Sequence, residues 1–127
     1  MSFSVTIEFD HVYVAYSGIV EALDVIQLSG DQEFITNMRV LEKVVHDFSD
    51  AEEVMMDFED IKNLTLLSNL ESNFTENLIG IAIPKDEQSY NRILTLRDGI
   101  QSDKWTVLIA HNYPEALSML RPDEVQE

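Results

Sequence analysis

The stretch that decides the fold runs from Leu41 to Leu70 and reads LEKVVHDFSDAEEVMMDFEDIKNLTLLSNL. Val44 and Val45 lie in an apolar run without strict alternation, which is typical of a strand covered on both faces. An acidic segment follows, and from Phe58 to Leu70 an apolar residue recurs every three positions, which predicts an amphipathic helix. The stretch therefore predicts a buried strand, an acidic loop and a long helix.

The flanking sequence continues this alternation of strands and helices. The other predicted elements, in chain order, are an antiparallel hairpin over residues 3–16, a helix from Glu21 to Gly30, a strand at Leu78–Ile83, a helix capped by Asp86, a strand at Trp105–Ala110 and a helix capped by Asn112. Strands joined by helices are parallel and right-handed in their crossovers. We therefore expect one α/β domain over residues 1–127, with a mixed, mostly parallel sheet of about five strands, four helices and an acidic tail at 121–127.

The composition excludes several classes of function. Twenty-four acidic residues stand against 8 basic ones, a net charge of −16, which disfavours binding to nucleic acid or to an anionic membrane surface. The chain has no cysteine, so disulfides and thiolate chemistry are excluded. No stretch is long enough for a membrane span, and the first residues do not resemble a signal peptide. We expect a cytoplasmic protein whose partner, if it has one, presents basic residues.

The acidic loop is the first candidate site. We predict that its partner-binding residues are Ser49, Met55, Met56, Asp57, Phe58, Glu59 and Asp60. In this interpretation the carboxylates provide specificity, and the two methionines, both exposed, act with Phe58 as apolar anchors. The alternative is local: Asp57 caps the helix, and Asp60 returns the hydrogen bond. The loop lacks the glycine and spacing of a calcium site, so we expect no metal here.

Histidines at strand ends are the second candidate. His46 and His111 follow predicted strands, and Ser49 lies near the first of them, so a hydrolase using Ser49 and His111 is conceivable. No nucleophile elbow or glycine-rich turn accompanies these residues. We therefore expect His46 to be a core or edge histidine and His111 to be solvated. We predict no catalytic residue, no cofactor and no metal, and hence no enzyme.

Several short segments, spread from about Val5 to Leu120, resemble the STAS domain. Tyr16–Ile19 is similar to the short strand of that family that ends in glycine before its first helix. Val44–Ser49 resembles its central strand, which ends in Asp-Leu-Ser, and Met56-Asp57 resembles the Met-Asp pair at its next helix. Tyr113–Leu117 looks more like a bacterial SpoIIAA-like subfamily, whose last helix contains Glu-Ala-Leu.

The resemblance implies a STAS-like α/β fold and a regulatory or interaction function, with the loop from Ser49 to Asp60 as the contact surface. In the antagonist members of the family, a phosphorylated serine follows the Met-Asp pair. Phe58 occupies that position here, so the serine switch is lacking. The subfamily is also similar in fold to CRAL-TRIO lipid carriers, which implies binding rather than catalysis.

Two functions follow from these observations. The preferred hypothesis is a non-enzymatic interaction module that binds a protein partner or a second copy of itself. The alternative is a carrier or sensor of a small apolar, lipid-like ligand, held between the helices and the strand ends near Asp47, Pro84 and His111.

Overall fold

The structure, a computed structural model, describes residues 2–121. Its strands are β1 (Phe3–Ile7), β2 (Val12–Tyr16), β3 (Gly18–Glu21), β4 (Lys43–Asp47), β5 (Ala51–Met55), β6 (Leu78–Ile83) and β7 (Trp105–Ile109). Its α-helices are α1 (Ala22–Leu28), α2 (Gln32–Leu41), α3 (Phe58–Glu71), α4 (Glu87–Gly99) and α5 (Tyr113–Leu120), and a 3₁₀ turn at Ser72–Phe74 follows α3. The acidic tail predicted at 121–127 lies, beyond residue 121, outside the described residues.

Five strands form the main sheet in the order β1-β2-β4-β6-β7. β1 and β2 are the predicted antiparallel hairpin, and the other three neighbouring pairs are parallel. The predicted fold class, a mixed and mostly parallel α/β sheet, is confirmed. The described residues contain five α-helices rather than four, because Asp31 caps a new helix with a hydrogen bond from the Phe34 amide (2.9 Å) soon after α1 ends.

The acidic loop was predicted wrongly as a loop. Ala51–Met55 is a strand, β5, which pairs in parallel with β3 to form a second, two-stranded sheet. Gly18 has a φ of 66°, a conformation that favours glycine, where the chain leaves β2 and enters β3. Ala51 and Val20 are buried in this small sheet. Two successive glutamates hid the strand, because they face solvent and leave few apolar residues to reveal its period.

The pleat of the main sheet separates two packing faces. Alternate residues of β2 and β4, such as Val14 and Val44, pack with helices α1 to α3 on one face. Val45 of β4 and Ile81 and Ile83 of β6 pack on the other face against α5, through residues such as Ala116. We call these the helix face and the α5 face.

The predicted helix starts are confirmed by their hydrogen bonds. The Asp57 carboxylate accepts from the Asp60 amide (2.8 Å) and the Asp60 carboxylate accepts from the Asp57 amide (3.0 Å), which is a reciprocal capping box. Asp86 caps α4 by accepting from the Ser89 amide, and Asn112 caps α5 by accepting from the Glu115 amide, each without the reciprocal hydrogen bond. These caps set where each helix leaves the sheet, and they do so through local sequence alone.

The apolar stripe predicted along α3 is only partly a core stripe. Ile61 and Leu64 are buried, but Phe58 is 75% exposed and Leu70 is 63% exposed. A step of three residues turns an α-helix by about 300°, so residues spaced by three drift around the helix instead of staying on one face. The middle of the stripe therefore faces the core, and its two ends face solvent.

Candidate functional site

A cavity that is partly open to the surface lies on the helix face, between the sheet and the helices. Its volume is about 180 Å³, and most of its wall is apolar. The sheet contributes Tyr16, Val44, His46, Gly80, Ala82 and Trp105, and the helices contribute Leu28, Phe34, Met38, Ile61, Leu64 and Ile93, among others. We call this space the helix-face cavity. For comparison, an engineered protein cavity of about 150 Å³ stays dry and binds benzene.

Small residues in β6 make room for the cavity. Gly80 and Ala82 line the cavity and alternate with the larger Ile81 and Ile83, which belong to the core of the α5 face. A Cβ atom on Gly80 would lie 3.1 Å from the indole nitrogen of Trp105, so the ring lies close against this backbone. Small and large residues alternate in the second half of LIGIAI, and this pattern predicts space on one face of the strand. The cavity was not predicted from this pattern.

One hydrogen-bonded pair places polar atoms in the apolar wall. The hydroxyl of Tyr16 and Nδ1 of His46 are 3.0 Å apart, and the two rings lie nearly parallel. Tyr16 is only 1% exposed, and its ring also stacks on Phe48 at 4.2 Å. Within residues 2–121, no hydrogen-bond partner is found for the second ring nitrogen of His46, Nε2. His46 thus lines the cavity and has a ring nitrogen that makes no hydrogen bond within the described residues.

Burial keeps both members of this pair neutral. Loss of solvation lowers the pKa of His46 from 6.5 to about 4, so the imidazole carries no charge at pH 7. Burial also raises the pKa of the Tyr16 phenol, and the negative charge of Asp24 adds to that effect. The polar group in the cavity wall is therefore a neutral imidazole positioned by a neutral phenol.

Charged side chains lie at the edge of the cavity, and the carboxylate among them is paired with an arginine. Arg39 of α2 donates two hydrogen bonds to Glu71 of α3, at 2.8 and 3.2 Å, and Glu71 lines the cavity. The Arg39 guanidinium also lies 4.2 Å from the centre of the Phe74 ring. On the α4 side, half-buried Arg92 donates to the carbonyl of Val54 (2.8 Å).

The predicted ligand-pocket residues lie elsewhere. Asp47 is buried on the α5 face, where its carboxylate accepts hydrogen bonds from Tyr13 (2.6 Å) and from the amide and hydroxyl of Ser49 (3.0 and 2.6 Å). His111 is exposed, as predicted, and Pro84 is half-buried. None of the three predicted residues lines the helix-face cavity. Asp47 and His46 are neighbours in one strand, so their side chains point to opposite faces of the sheet.

A buried polar network that sequence reasoning missed joins the hairpin to α5. His11 is 1% exposed; its Nδ1 lies 2.7 Å from Asp10 and its Nε2 lies 2.8 Å from the hydroxyl of Tyr113. Arg121 donates to both carboxylate oxygens of Asp10, at 2.7 and 2.9 Å, and is the main reason that the pKa of Asp10 lies well below its usual range. The network fixes the packing of α5 on the sheet.

The predicted partner-binding residues are distributed over β5 and the start of α3. Met55 and Phe58 are exposed, as are Ser49, Asp57 and Glu59. Met56 was predicted to be exposed, and that prediction is wrong: it is 8% exposed and lines the helix-face cavity. Met56 follows the last residue of β5, and its side chain faces inward while the exposed Met55 faces outward. Asp60 is half-buried.

Ser49 and His111 do not form a nucleophile–base pair in this structure. The Ser49 hydroxyl donates to Asp47, and His111 pairs with Glu115 at 3.1 Å. The His111 hydrogen bonds lower the pKa of Glu115. Each of the two residues is thus engaged with a local carboxylate.

The comparison with known proteins establishes the fold and leaves the function open. No family model matches the sequence, and no curated protein matches it. One similar solved structure is an uncharacterised protein of the DUF3478 family from Shewanella loihica, which has a SpoIIAA-like fold. It matches with a TM-score of 0.58 over 93% of this chain and 91% of its own, at 9% identity. The chain therefore has a SpoIIAA-like fold, and the predicted resemblance is confirmed at that level.

Residues 2–121 contain neither a membrane-spanning helix nor a cluster of metal ligands. No helix in this range is both long and apolar enough to cross a bilayer. No group of three or more histidine, aspartate or glutamate side chains in this range is arranged to hold a metal ion.

Proposed function

We propose that this protein binds a small, mostly apolar molecule in the helix-face cavity and acts as a carrier or sensor of it, without transforming it. The observation that carries the proposal is the cavity itself: about 180 Å³ of space with an apolar wall and a neutral imidazole in it. The apolar side chains that line such a space lack van der Waals contacts on the side that faces it, and an apolar ligand supplies those contacts. The volume fits a molecule somewhat larger than benzene. We therefore narrow the predicted lipid-like ligand to a small ring or short branched chain.

Trp105 is the reporter for a direct test, because it lines the cavity and is the only tryptophan in the sequence. Ethylbenzene, titrated into the purified protein, should change the Trp105 fluorescence saturably. It should also raise the melting temperature, because a ligand that binds only the folded state stabilises it. A linear, unsaturable fluorescence change with no thermal shift would refute the proposal.

A cavity-filling variant supplies the specificity control. Ala82 lies beside His46 in the strand register and lines the cavity, so Ala82→Leu places extra side-chain volume in the binding space. This variant should no longer respond to ethylbenzene. Thr106→Leu adds an apolar side chain at an exposed position outside the cavity wall, and it should respond as the wild type does. An equal response of both variants would place ethylbenzene somewhere else.

A second candidate function rests on a separate observation, the exposed outer stripe of α3. Phe58, Leu66, Leu70 and Phe74 are 75%, 56%, 63% and 61% exposed, respectively. Contiguous exposed apolar residues mark interaction surfaces in many proteins. This supports the predicted interaction module, with a partner that presents basic residues toward the acidic surface or with a second copy of the chain.

The interaction module is tested by removing two exposed anchors. Met55→Ser together with Phe58→Ser should abolish association in native mass spectrometry of protein purified from its own host, and should leave the free energy of unfolding nearly unchanged. Both side chains are exposed, so neither contributes much to the core. Unchanged association in the double variant would remove this surface as the contact site.

A further inference from the structure

The polar pair in the cavity wall narrows the chemistry of the ligand. Resting on the proposed function, we infer that the helix-face cavity takes a neutral apolar molecule with one hydrogen-bond acceptor, such as a ketone or ester carbonyl. The acceptor receives the Nε2–H of His46, and Tyr16 is the positioning residue that holds His46 in this tautomer.

The tautomer follows from the hydrogen-bond requirement of Tyr16. Its hydroxyl is almost completely buried, and within the described chain Nδ1 of His46 is the one hydrogen-bond partner found for it, at 3.0 Å. A buried O–H group that finds no acceptor is unfavourable, so the phenol donates to Nδ1. A neutral imidazole that accepts at Nδ1 carries its proton at Nε2. Nε2 is then a donor.

The ligand must provide a hydrogen-bond acceptor for the Nε2–H group. Nε2 has no partner among residues 2–121, and the surrounding wall is mainly aliphatic and aromatic. A hydrocarbon fills the space but leaves the N–H unpaired, whereas a carbonyl oxygen fills it and accepts the proton. An ammonium group offers only donors and leaves the Nε2–H unsatisfied.

Charge selects against an anionic form of the same ligand. His46 is neutral, so it provides no counter-charge for a carboxylate, and the chain carries a net charge of −16. Arg92 is the arginine that lines the cavity, and one of its N–H groups already donates to the carbonyl of Val54. A carboxylate ligand would pair with Arg92 and not with His46, and this distinction can be measured.

Ethylbenzene and acetophenone form a matched pair of probes, because they share one skeleton and differ by a carbonyl oxygen. Both should bind the wild type. In His46→Phe, acetophenone should bind about tenfold more weakly, because its carbonyl is buried without a donor, while ethylbenzene should change by about twofold or less. His46→Gln retains an N–H donor and should recover most of the acetophenone affinity. Both variants are first checked for cooperative unfolding.

The outcomes separate this inference from the proposed function. If neither probe binds the wild type, the cavity proposal itself is wrong. If both bind but the ratio of their dissociation constants is the same in the wild type and in His46→Phe, the cavity binds ligands and the carbonyl assignment is wrong. If benzoate binds more tightly than acetophenone, Arg92 receives the ligand and the His46 assignment is overturned.

The tautomer is tested without any ligand. In ¹⁵N NMR of histidine-labelled protein at pH 7, His46 should show a protonated Nε2 and an unprotonated Nδ1. Tyr16→Phe removes the donor to Nδ1, so the proton of His46 should no longer be held on Nε2. The ratio of the affinities for acetophenone, which only accepts a hydrogen bond, and 1-phenylethanol, which can also donate one, should therefore fall. A wild-type spectrum with the proton on Nδ1 would overturn the inference, whichever probes bind.

Discussion

The two faces of one sheet are built on different plans. On the α5 face, Ile81, Ile83 and Ala116 are completely buried, and the polar groups at its border are paired with one another. On the helix face, β6 contributes the small residues Gly80 and Ala82, one ring nitrogen of His46 makes no hydrogen bond within residues 2–121, and space remains. Cores are normally close-packed, so space retained on one face only is a property of that face. The helix face therefore contains both the larger cluster of buried side chains and the cavity that we propose as the binding space, whereas a smaller cluster of buried side chains packs against α5 on the other face.

A pair of identical truncations tests this contrast most strongly. Ile83→Ala on the α5 face should lower the free energy of unfolding by about 4 kcal/mol, near the upper part of the range for buried isoleucine. Ile93→Ala in the cavity wall should cost only about 2 kcal/mol, because part of that side chain already faces empty space. Urea unfolding of both variants measures the difference. Equal losses would mean that the helix face is as tightly packed in solution as the α5 face.

The histidine of the helix face predicts a pH dependence. The pKa of His46 is about 4 in the folded protein against 6.5 for an ordinary histidine, so the unfolded chain binds more protons between these values. Stability is therefore complete above pH 6.5 and falls as the pH drops toward 4, by roughly 3 kcal/mol at most for this group. Chemical unfolding at a series of pH values measures this loss.

His46→Gln is the control for that prediction. Glutamine does not titrate, and His11 and His111 remain in both proteins, so the difference between the two pH profiles isolates His46. The loss between pH 6.5 and 4 should be smaller in the variant. Asp10, whose pKa is lowered mainly by Arg121, loses its contribution only at more acidic pH and does not confuse the comparison. If the free energy of unfolding fell equally with pH in the wild type and in His46→Gln, His46 would be solvated.

The polar groups of the α5 face predict a smaller effect. Asp47→Ala removes the acceptor for Tyr13 and Ser49 and should cost about 2 kcal/mol, because donors at a partly buried site lose their partner. Ser49→Ala removes one exposed hydroxyl and should cost about 0.5 kcal/mol. Thermal unfolding compares the two. A small effect of Asp47→Ala would mean that water replaces the carboxylate.

The last effect concerns neither face. Asp57→Ala removes the cap of α3 and should cost about 1 kcal/mol in urea unfolding. Ethylbenzene binding should be unchanged, because Asp57 is exposed and does not line the cavity. Loss of binding in this variant would couple the start of α3 to the cavity.

Local patterns predicted most of the framework. The hairpin, the buried strand at Val44-Val45 and the caps at Asp57, Asp86 and Asn112 each depend on neighbouring residues, so one sequence window contains their cause. Strands β3 and β5 and the full length of α2 were missed. Strand β5 is stabilised by pairing with β3, which lies some thirty residues earlier in the chain, and no local pattern records that pairing.

The sequence predicted the kind of ligand that the candidate site would bind, but it did not predict the position of the cavity. The sequence indicated binding without catalysis and an apolar ligand as one alternative, but it placed that ligand near Asp47, Pro84 and His111. The cavity lies on the other side of the sheet, beside His46. One residue along a strand reverses the face, so the predicted pocket beside Asp47 and the cavity beside His46 lie on opposite sides of the same strand.

The sequence by itself determined the five strands of the main sheet, the helix caps and the strongly acidic composition, because periodicity, capping and charge are local or additive properties. Only the tertiary structure decided that Tyr16 meets His46, that His11 is buried between Asp10 and Tyr113, and that space remains beneath the helices. Each of these features joins residues from distant parts of the chain. A cavity in particular is defined by what its surroundings fail to fill, and that is settled only when all the elements are packed together.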